Sequence, residues 1–403
     1  MKNKIKIINY MILAIVVNCI FSCTSAKVLE NDSILFGRGD LSDVKVYDEI
    51  DQSSVEIGIK EFEFTSKMNI PFTANYSVRP ISIEYYTVGP KNQSVKVSAS
   101  VSIPKDVKAA LPIVVINPGT RYLKSEDSNY SSRTLYASSG YIAVSPHYIG
   151  YGVSGIPHPY LHAKTLAFTV IDMIRATKQL MIEKNILHNG QIFMTGYSEG
   201  GYATMAAAKV IEESLGHEIQ LTAIAPNAGS FDMSSLVQTI LNSSMIYPHP
   251  AAIPFLVFSY NDIYDLENQV GPILRADVKK IKPMYNGQYT RTEINRQLPD
   301  VPVMMFTESF VQKVRGGEVG LVTAVLKEND VYRWTPKVKV RMHHCISDIE
   351  VSYQHSKTAL NYFHSNGANH VELIDPMPNA NHLDGYYVAQ IETKKWFDML
   401  VKR

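Results

Sequence analysis

The sequence predicts an α/β protein: a mostly parallel sheet with helices on both faces, interrupted by a largely helical insertion. Short apolar runs predict buried strands, and they alternate with segments of helical periodicity. These runs lie at 111–116, 141–145, 191–195 and 219–225. A long segment without this alternation follows, before strands and helices resume near residue 338. Apolar strands that alternate with helices are typical of a parallel sheet covered on both faces.

Composition and charge exclude several classes of protein. The chain has 403 residues, of which 45% are hydrophobic and 19% are charged, so it is not intrinsically disordered. Lysine and arginine number 39 against 38 for aspartate and glutamate, and the resulting net charge of +1 gives no electrostatic basis for binding nucleic acid. Three cysteines cannot form a disulfide framework, and the sequence contains neither a CxxC pair nor an HExxH motif. We therefore expect no metal, no cofactor and no nucleic-acid partner.

Residues 1–22 are predicted to be a secretory signal peptide. Three lysines stand within the first six residues, and the apolar stretch that follows, 7–17, is shorter than the roughly 20 residues of a membrane span. Cys23 follows a small residue, as in a bacterial lipobox, where the cysteine is lipidated and becomes the mature N-terminus. We therefore expect an exported lipoprotein of the bacterial cell envelope, held at a membrane by its lipid anchor. Ordinary cleavage after Ala26 is the alternative.

The rest of the chain is divided into a tether, a core and an insertion. Residues 23–50 are polar and predict a flexible tether. The core is predicted to comprise 51–228 and 334–403. Residues 229–333 hold helical patterns punctuated by prolines, and an insertion of this size between two strands is predicted to be a cap, or lid, over the core.

Within the core, the first strands are predicted to be antiparallel. Residues 55–64 and 81–103 carry the apolar pattern of strands, and a turn at 89–92 divides the second stretch into a hairpin. Helices and later strands follow from periodicity. Helices are predicted at 131–139, 161–183, 201–215, 352–364 and 384–401, and strands at 338–342 and 370–374.

The strongest chemical signal is the sequence Gly196-Tyr197-Ser198-Glu199-Gly200. It follows a predicted strand and precedes a predicted helix whose first turns hold further small residues. Glycines permit close packing at a sharp strand-to-helix turn, and such a turn pushes the serine hydroxyl out of the sheet. Ser198 is therefore predicted to be a nucleophile, the alternative being a glycine-rich turn made only for packing.

A serine hydroxyl needs an adjacent base, and in the fold that carries such a serine turn the base comes late, in a loop after the last strand. His382 lies there, before the final helix, whereas the competing His370 lies inside an apolar strand. A carboxylate must then orient the imidazole, and Asp348 follows the penultimate strand. Asp375 and Glu350 are the rival carboxylates. The predicted triad is thus Ser198, Asp348 and His382, in that chain order.

An oxyanion hole should supply two backbone N–H groups to the reacting carbonyl oxygen. One is that of Glu199, the residue after the nucleophile. The other should come from the loop that follows the strand at 111–116. Pro118 in this loop has no N–H, so the donor is Gly119 or Thr120, of which Thr120 is preferred. An ordinary Pro-Gly turn is the alternative.

These residues, with two further segments, resemble those of an α/β-hydrolase. The chain from about 80 to 400 is similar to secretory lipases and to esterases related to prolyl oligopeptidase. Besides the serine turn, the resemblance rests on 145–152 (SPHYIGYG), 158–163 (HPYLHA) and the acid-bearing segment 344–348 (HCISD). It implies the α/β-hydrolase fold and a Ser…Asp…His order of catalytic residues.

The chain departs from the family's usual pattern at three positions. His147 stands where similar proteins carry Asp, and Cys345 stands where they carry Gly. Glu199 stands where Gln is common in the secretory lipases. The roles of these three side chains are left open by the sequence.

The residues predict a carboxylic ester hydrolase that works through an acyl-enzyme on a small-molecule, lipid or acylated ester substrate. The apolar run 253–258 is predicted to form the wall of an acyl pocket, or else simply the interior of the cap. Alternatives are an esterase acting on acylated polysaccharide, a serine peptidase of the prolyl-oligopeptidase type, and a binding protein on a hydrolase scaffold. The peptidase is disfavoured because the roughly 80 residues before the region of resemblance leave no room for the propeller domain that such peptidases usually carry.

Overall fold

The computed structural model describes residues 37–402, and the described residues from Gly39 onward form one compact unit. The signal peptide predicted at 1–22 and the lipidation predicted at Cys23 lie outside the described residues. No helix in the described part of the chain is both long and apolar enough to cross a membrane.

Nine strands form a single mixed sheet in the order β1-β2-β3-β5-β4-β6-β7-β8-β9. The first three pair antiparallel, and β3 is antiparallel to β5. From β5 to β9 all neighbours are parallel. The strands are β1 Leu41–Val46, β2 Val78–Val88, β3 Ser94–Pro104, β4 Leu111–Asn117, β5 Ile142–His147, β6 His188–Tyr197, β7 Ala223–Asn227, β8 Lys339–His343 and β9 Glu372–Ile374. The mostly parallel α/β sheet predicted from the sequence is confirmed.

Helices cover both faces of this sheet. In the core they are α1 Gln52–Ser66, α2 Tyr130–Ser138, α3 Ala163–Glu183, α4 Glu199–Val210, α12 Gln354–Ser365 and α13 His382–Leu400. Side chains of β4 alternate between two apolar clusters. Ile113 and Val115 pack into the cluster that contains α3 and α4, whereas Val114 and Ile116 pack into the cluster that contains α2 and α13.

Between β7 and β8, the regular elements are all helical. They are α5 Leu236–Asn242, α6 Ala252–Tyr264, α7 Leu266–Val270, α8 Ala276–Lys279, α9 Arg291–Asn295, α10 Glu308–Arg315 and α11 Gly320–Glu328, with short 3-10 turns between some of them. We call residues 229–333 the insertion. Many of its apolar side chains, such as Leu256 and Phe310, belong to the same hydrophobic cluster as the core helices α3 and α4.

The strand predicted at 55–64 is wrong: these residues lie in helix α1. Their apolar residues alternate in sequence, which suggested a strand, but the buried ones follow the helical period. Val55 and Ile59 are 3% and 8% exposed, whereas Ile57 and Phe64 are 58% and 87% exposed. Asp51 caps the helix by accepting a hydrogen bond from the backbone N–H of Ser54 at 2.8 Å.

The flexible tether predicted at 23–50 is also corrected in its described part. Residues Leu41–Val46 form β1, which pairs antiparallel with β2 at the edge of the sheet. Only two of the six β1 residues are even partly buried. An exposed edge strand keeps a polar sequence, and this is why its composition resembled that of a linker.

Candidate active site

The serine turn is a strained junction between β6 and α4. Ser198 has φ 59° and ψ −122°, a backbone conformation that non-glycine residues rarely adopt. Two glycines allow it. A Cβ atom on Gly196 would lie 2.2 Å from the carbonyl oxygen of Gly200, and one on Gly200 would lie 2.1 Å from that of Asn117. A larger residue at 196 would clash inside the turn itself, and one at 200 would push the turn away from β4, so the close approach requires glycine at both positions.

The three predicted triad residues line one cavity of about 450 Å³. They reach it because Ser198 follows β6, Asp348 follows β8, and His382 follows β9. Carboxyl ends of parallel strands meet at one edge of a sheet, which is where open α/β proteins place their sites. The insertion supplies much of the remaining wall, including Leu236, Ile240, Ala252, Ile253 and Leu256.

The imidazole of His382 is hydrogen-bonded through Nδ1 to a buried carboxylate. Its Nδ1 lies 2.5 Å from Oδ2 of Asp348, and the Asp348 side chain is fully buried. Since an ionised carboxylate can only accept, Nδ1–H of His382 donates, and Nε2 is left as the acceptor. Asn381 caps α13 by accepting hydrogen bonds from the N–H groups of Leu383 and Asp384, both at 2.9 Å, which places His382 at the first position of that helix.

Asp348 stays ionised in spite of its burial. Burial raises the pKa of this carboxyl, but hydrogen bonds from His344 and His382 lower it more, and the pKa lies well below its usual range. The backbone N–H groups of Glu350 and Val351 also donate to Oδ1, each at 2.9 Å. The second histidine, His344, was not expected from the sequence. Its Nε2 donates to the carbonyl oxygen of Val351 at 2.9 Å and lies 3.4 Å from Oδ2 of Asp348.

The competing residues are engaged elsewhere. Glu350 lines the cavity, but its Oε1 accepts a hydrogen bond from Arg291 at 2.7 Å. Oδ1 of Asp375 accepts from the N–H of Met377 at 3.2 Å. His370 donates from Nε2 to the carbonyl oxygen of Val338 at 2.9 Å, as expected of a structural histidine. Among the described residues, the carboxylate hydrogen-bonded to His382 is that of Asp348.

The two predicted oxyanion-hole residues flank the serine turn. Glu199 is the first residue of α4, where backbone N–H groups have no partner within the helix. The loop that carries Thr120 lies against the same turn, because a Cβ atom on Gly119 would be 3.3 Å from the carbonyl oxygen of Tyr197. The Oγ1 of Thr120 lies 3.1 Å from the hydroxyl oxygen of Tyr160. Glu199 thus directly follows Ser198, and Thr120 directly follows a residue, Gly119, that packs against the serine turn.

The run 253–258, predicted to be the wall of an acyl pocket or the interior of the cap, faces the cavity only in part. On α6, Ile253 and Leu256 face the cavity, but Phe255 and Phe258 do not line it. Phe255 instead stacks on the ring of Tyr160, with centroids 4.6 Å apart and planes 5° apart. Positions 253 and 256 share a face of the helix, whereas 255 and 258 lie on the next one, so a run that looks uniformly apolar is divided between two surfaces.

The two departures at His147 and Cys345 add no second chemical centre. Burial is the largest cause that lowers the pKa of His147 to about 4, and the nearby charge of Arg121 is the next. Nδ1 of His147 lies within hydrogen-bond distance of Ser98 Oγ, at 2.9 Å. Burial, followed by the charge of Asp375, raises the pKa of the Cys345 thiol to about 11. Both side chains are thus uncharged at neutral pH. No cluster of His, Cys, Asp and Glu able to hold a metal ion occurs among residues 37–402.

The fold and the cavity define the class of protein. A serine on a strained turn, a late histidine with its carboxylate, and a mostly parallel sheet with helices on both faces are the features of an α/β-hydrolase. The model of the secretory lipase family matches residues 130–400, and the chain belongs to this family. The resemblance inferred from the sequence is confirmed, and the protein is a carboxylic ester hydrolase of the esterase or lipase kind.

Solved structures support the fold. The chain is similar to the rice cell wall degrading esterase LipA from Xanthomonas oryzae, with 22% identity over 89% of this chain and 96% of the other, and a TM-score of 0.76. It is also similar to lipase A of Candida antarctica in its closed state, with 16% identity over 91% of this chain and 84% of the other, and a TM-score of 0.64. No curated protein sequence matches the chain.

Proposed function

We propose that Ser198, His382 and Asp348 form a catalytic triad that hydrolyses carboxylic esters through an acyl-enzyme. One observation carries the proposal. The buried, ionised Asp348 accepts a hydrogen bond from Nδ1–H of His382, which leaves Nε2 of His382 as an acceptor. The imidazole ring of His382 lines the same cavity as Ser198. This division of roles is what nucleophilic catalysis by serine needs.

The proposed reaction has two half-reactions. Oγ of Ser198 attacks the ester carbonyl while Nε2 of His382 takes its proton, and the negative charge on the carbonyl oxygen is stabilised by the N–H groups of Glu199 and Thr120. The tetrahedral intermediate collapses, and His382 gives the proton to the departing alcohol. Water then attacks the acyl-enzyme with His382 again as base, which releases the carboxylic acid and restores Ser198.

Ester and peptide substrates distinguish this proposal from the peptidase alternative. We expect hydrolysis of p-nitrophenyl acetate and butyrate. For a peptide p-nitroanilide we expect kcat/KM to be lower by at least about 10³-fold, since an anilide is a poorer leaving group. Release of acetate from an acetylated polysaccharide should be measured alongside these substrates, because one structural relative is a cell wall degrading esterase. Comparable rates on the ester and the anilide would contradict the ester assignment.

The acyl chain is proposed to lie against the insertion. Ala252 lines the cavity beside Ile253 and Leu256, so a larger side chain there would occupy space that a long chain needs. For Ala252→Leu we expect kcat/KM on an octanoyl ester to fall about tenfold or more while the acetyl ester changes by less than about twofold, because remote binding energy is lost but the chemistry is not.

A matched variant makes this test specific. Ala276→Leu adds the same atoms to an exposed position of α8 and should leave the chain-length preference unchanged. The measurement is kcat/KM for acetyl, butyryl and octanoyl p-nitrophenyl esters in both variants. Equal losses on all three esters for Ala252→Leu would show that this wall does not bind the acyl chain.

A further inference from the structure

One segment of the core, residues 148–160, contacts both candidate oxyanion-hole elements. We call it the brace segment. Its Tyr148 hydroxyl donates to the carbonyl oxygen of Pro118 at 3.1 Å, and its Tyr151 hydroxyl donates to the carbonyl oxygen of Arg121. The loop that carries Thr120 is therefore held on both sides of that residue by buried tyrosines.

Thr120 itself is contacted by the same segment. Its Oγ1 lies within hydrogen-bond distance of the Tyr160 hydroxyl, at 3.1 Å, and the Tyr160 side chain is buried. The Tyr160 ring is fixed in turn by its parallel stacking on Phe255 of α6. A rigid aromatic side chain of this kind can hold the backbone of Thr120 in one position.

Glu199 is contacted by the brace segment through His158. Nε2 of His158 lies 2.7 Å from Oε1 of Glu199, and the two side chains are 3% and 1% exposed. Nδ1 of His158 lies 2.7 Å from the carbonyl oxygen of Ile149, which can only accept, so Nδ1 carries a proton. The short contact between Nε2 and Oε1 then requires one further proton between them. His158 and Glu199 therefore form a buried pair that is neutral overall.

This pair has no role in the proton transfers described above, yet one of its members, Glu199, directly follows the nucleophile Ser198. A buried polar pair is costly unless its members are held together, and it specifies one arrangement of the backbone when they are. His158 is further enclosed by Tyr148 and Tyr151, with ring centroids at 5.9 Å and 4.8 Å. The start of α4 is thus attached to the same segment as the Thr120 loop.

We propose that His158 and Tyr160 are positioning residues of the oxyanion hole, which set the spacing between the N–H groups of Glu199 and Thr120. The inference rests on the proposed function, in which these two groups bind the oxyanion. Such donors act only when they lie about 2.7–3.1 Å from the developing negative charge, and displacements of about 1 Å are costly. Glu199 in place of the usual glutamine would then serve to bind His158.

Removing the Tyr160 hydroxyl tests one half of the brace. In Tyr160→Phe the stacking on Phe255 is retained, and we expect kcat on p-nitrophenyl acetate to fall about tenfold with KM within about twofold, because the oxyanion forms only in the transition state. Tyr85→Phe is the matched control. It also removes a buried hydroxyl, one that donates to the carbonyl oxygen of Thr169 at 3.0 Å, and should lower Tm by a similar amount without lowering kcat.

Variants of the buried pair test the other half. His158→Ala and Glu199→Ala are each expected to lower kcat about 10²-fold, and the double variant should be little worse than either, as residues acting as one unit are non-additive. Glu199→Gln should lose less than Glu199→Ala, because an amide can still bond to the imidazole. Each variant should still be labelled by a fluorophosphonate at one equivalent per chain, which would show that it keeps an intact nucleophile.

The outcomes separate this inference from the function on which it rests. If Ser198→Ala is inactive but Tyr160→Phe keeps the kcat of Tyr85→Phe, and His158→Ala raises KM rather than lowering kcat, the positioning role is overturned while the triad stands. If Ser198→Ala keeps its activity, the proposed function itself fails.

Discussion

Replacing Ser198 with alanine is expected to lower kcat for ester hydrolysis on the order of 10⁵-fold. The variant removes the atom that forms the acyl-enzyme, so neither His382 nor the oxyanion hole has a covalent step left to assist. Slow hydrolysis by positioned water should remain, since the binding cavity and the backbone donors are unchanged.

The fold should survive this substitution. Alanine at φ 59° is strained to about the same degree as serine, so the unfavourable backbone conformation is neither relieved nor worsened. We expect Tm to change by less than about 3 °C, because the free energy of unfolding should change by no more than roughly 0.5 kcal/mol. The matched control is Ser230→Ala, because Ser230 lines the same cavity and should be dispensable.

The measurements are kcat on p-nitrophenyl acetate and covalent labelling by a fluorophosphonate, detected as a mass increase on the peptide that contains residue 198. Wild type and Ser230→Ala should be labelled, and Ser198→Ala should not. A labelled or fully active Ser198→Ala protein would mean that another residue is the nucleophile.

The parallel half of the sheet was predictable because its signals are local. β4, β5 and β6 each contain a short apolar run, and each is followed along the chain by a segment of helical periodicity, so the pattern alone indicates the element. Helix α1 was missed for an equally local reason. Its apolar residues fit the period of 2 of a strand and the period of 3.6 of a helix. The choice between strand and helix depends on the packing of Val55 and Ile59 with residues of α2 and α13, and these two helices lie far away in sequence.

The candidate site divides in the same way. Ser198 is marked by glycines on both sides and His382 by its position after the last strand, so each has a signal within its own segment. The pairing of His158 with Glu199 has none, because the two residues are 41 positions apart and meet only after α3 and β6 have folded between them. His158 stood in a recognisable segment, but its partner could not be inferred from spacing.

The choice of carboxylate is the second site prediction with a large expected effect. Asp348→Asn should lower kcat about 10⁴-fold, less than the loss for Ser198→Ala. An amide at this position can donate its N–H to Nδ1 of His382, which would place the imidazole proton on Nε2 and leave no acceptor for the serine proton. Loss of the negative charge also removes the stabilisation of the imidazolium that forms during the reaction.

Controls for this prediction come from the rival carboxylates. Glu350→Gln would weaken the contact with Arg291 on the cavity wall, and Asp375→Asn alters a side chain whose Oδ1 accepts from the N–H of Met377, so both should keep kcat within about tenfold. Because the pKa of Asp348 lies well below its usual range, the wild-type carboxyl stays ionised throughout the range above about pH 4, and the Asp348→Asn deficit should be present at every pH in that range. If Asp375→Asn or Glu350→Gln lost more activity than Asp348→Asn, the carboxylate that orients His382 during catalysis would differ from the one bonded to it here, and the acid-bearing loop would have to rearrange when substrate binds.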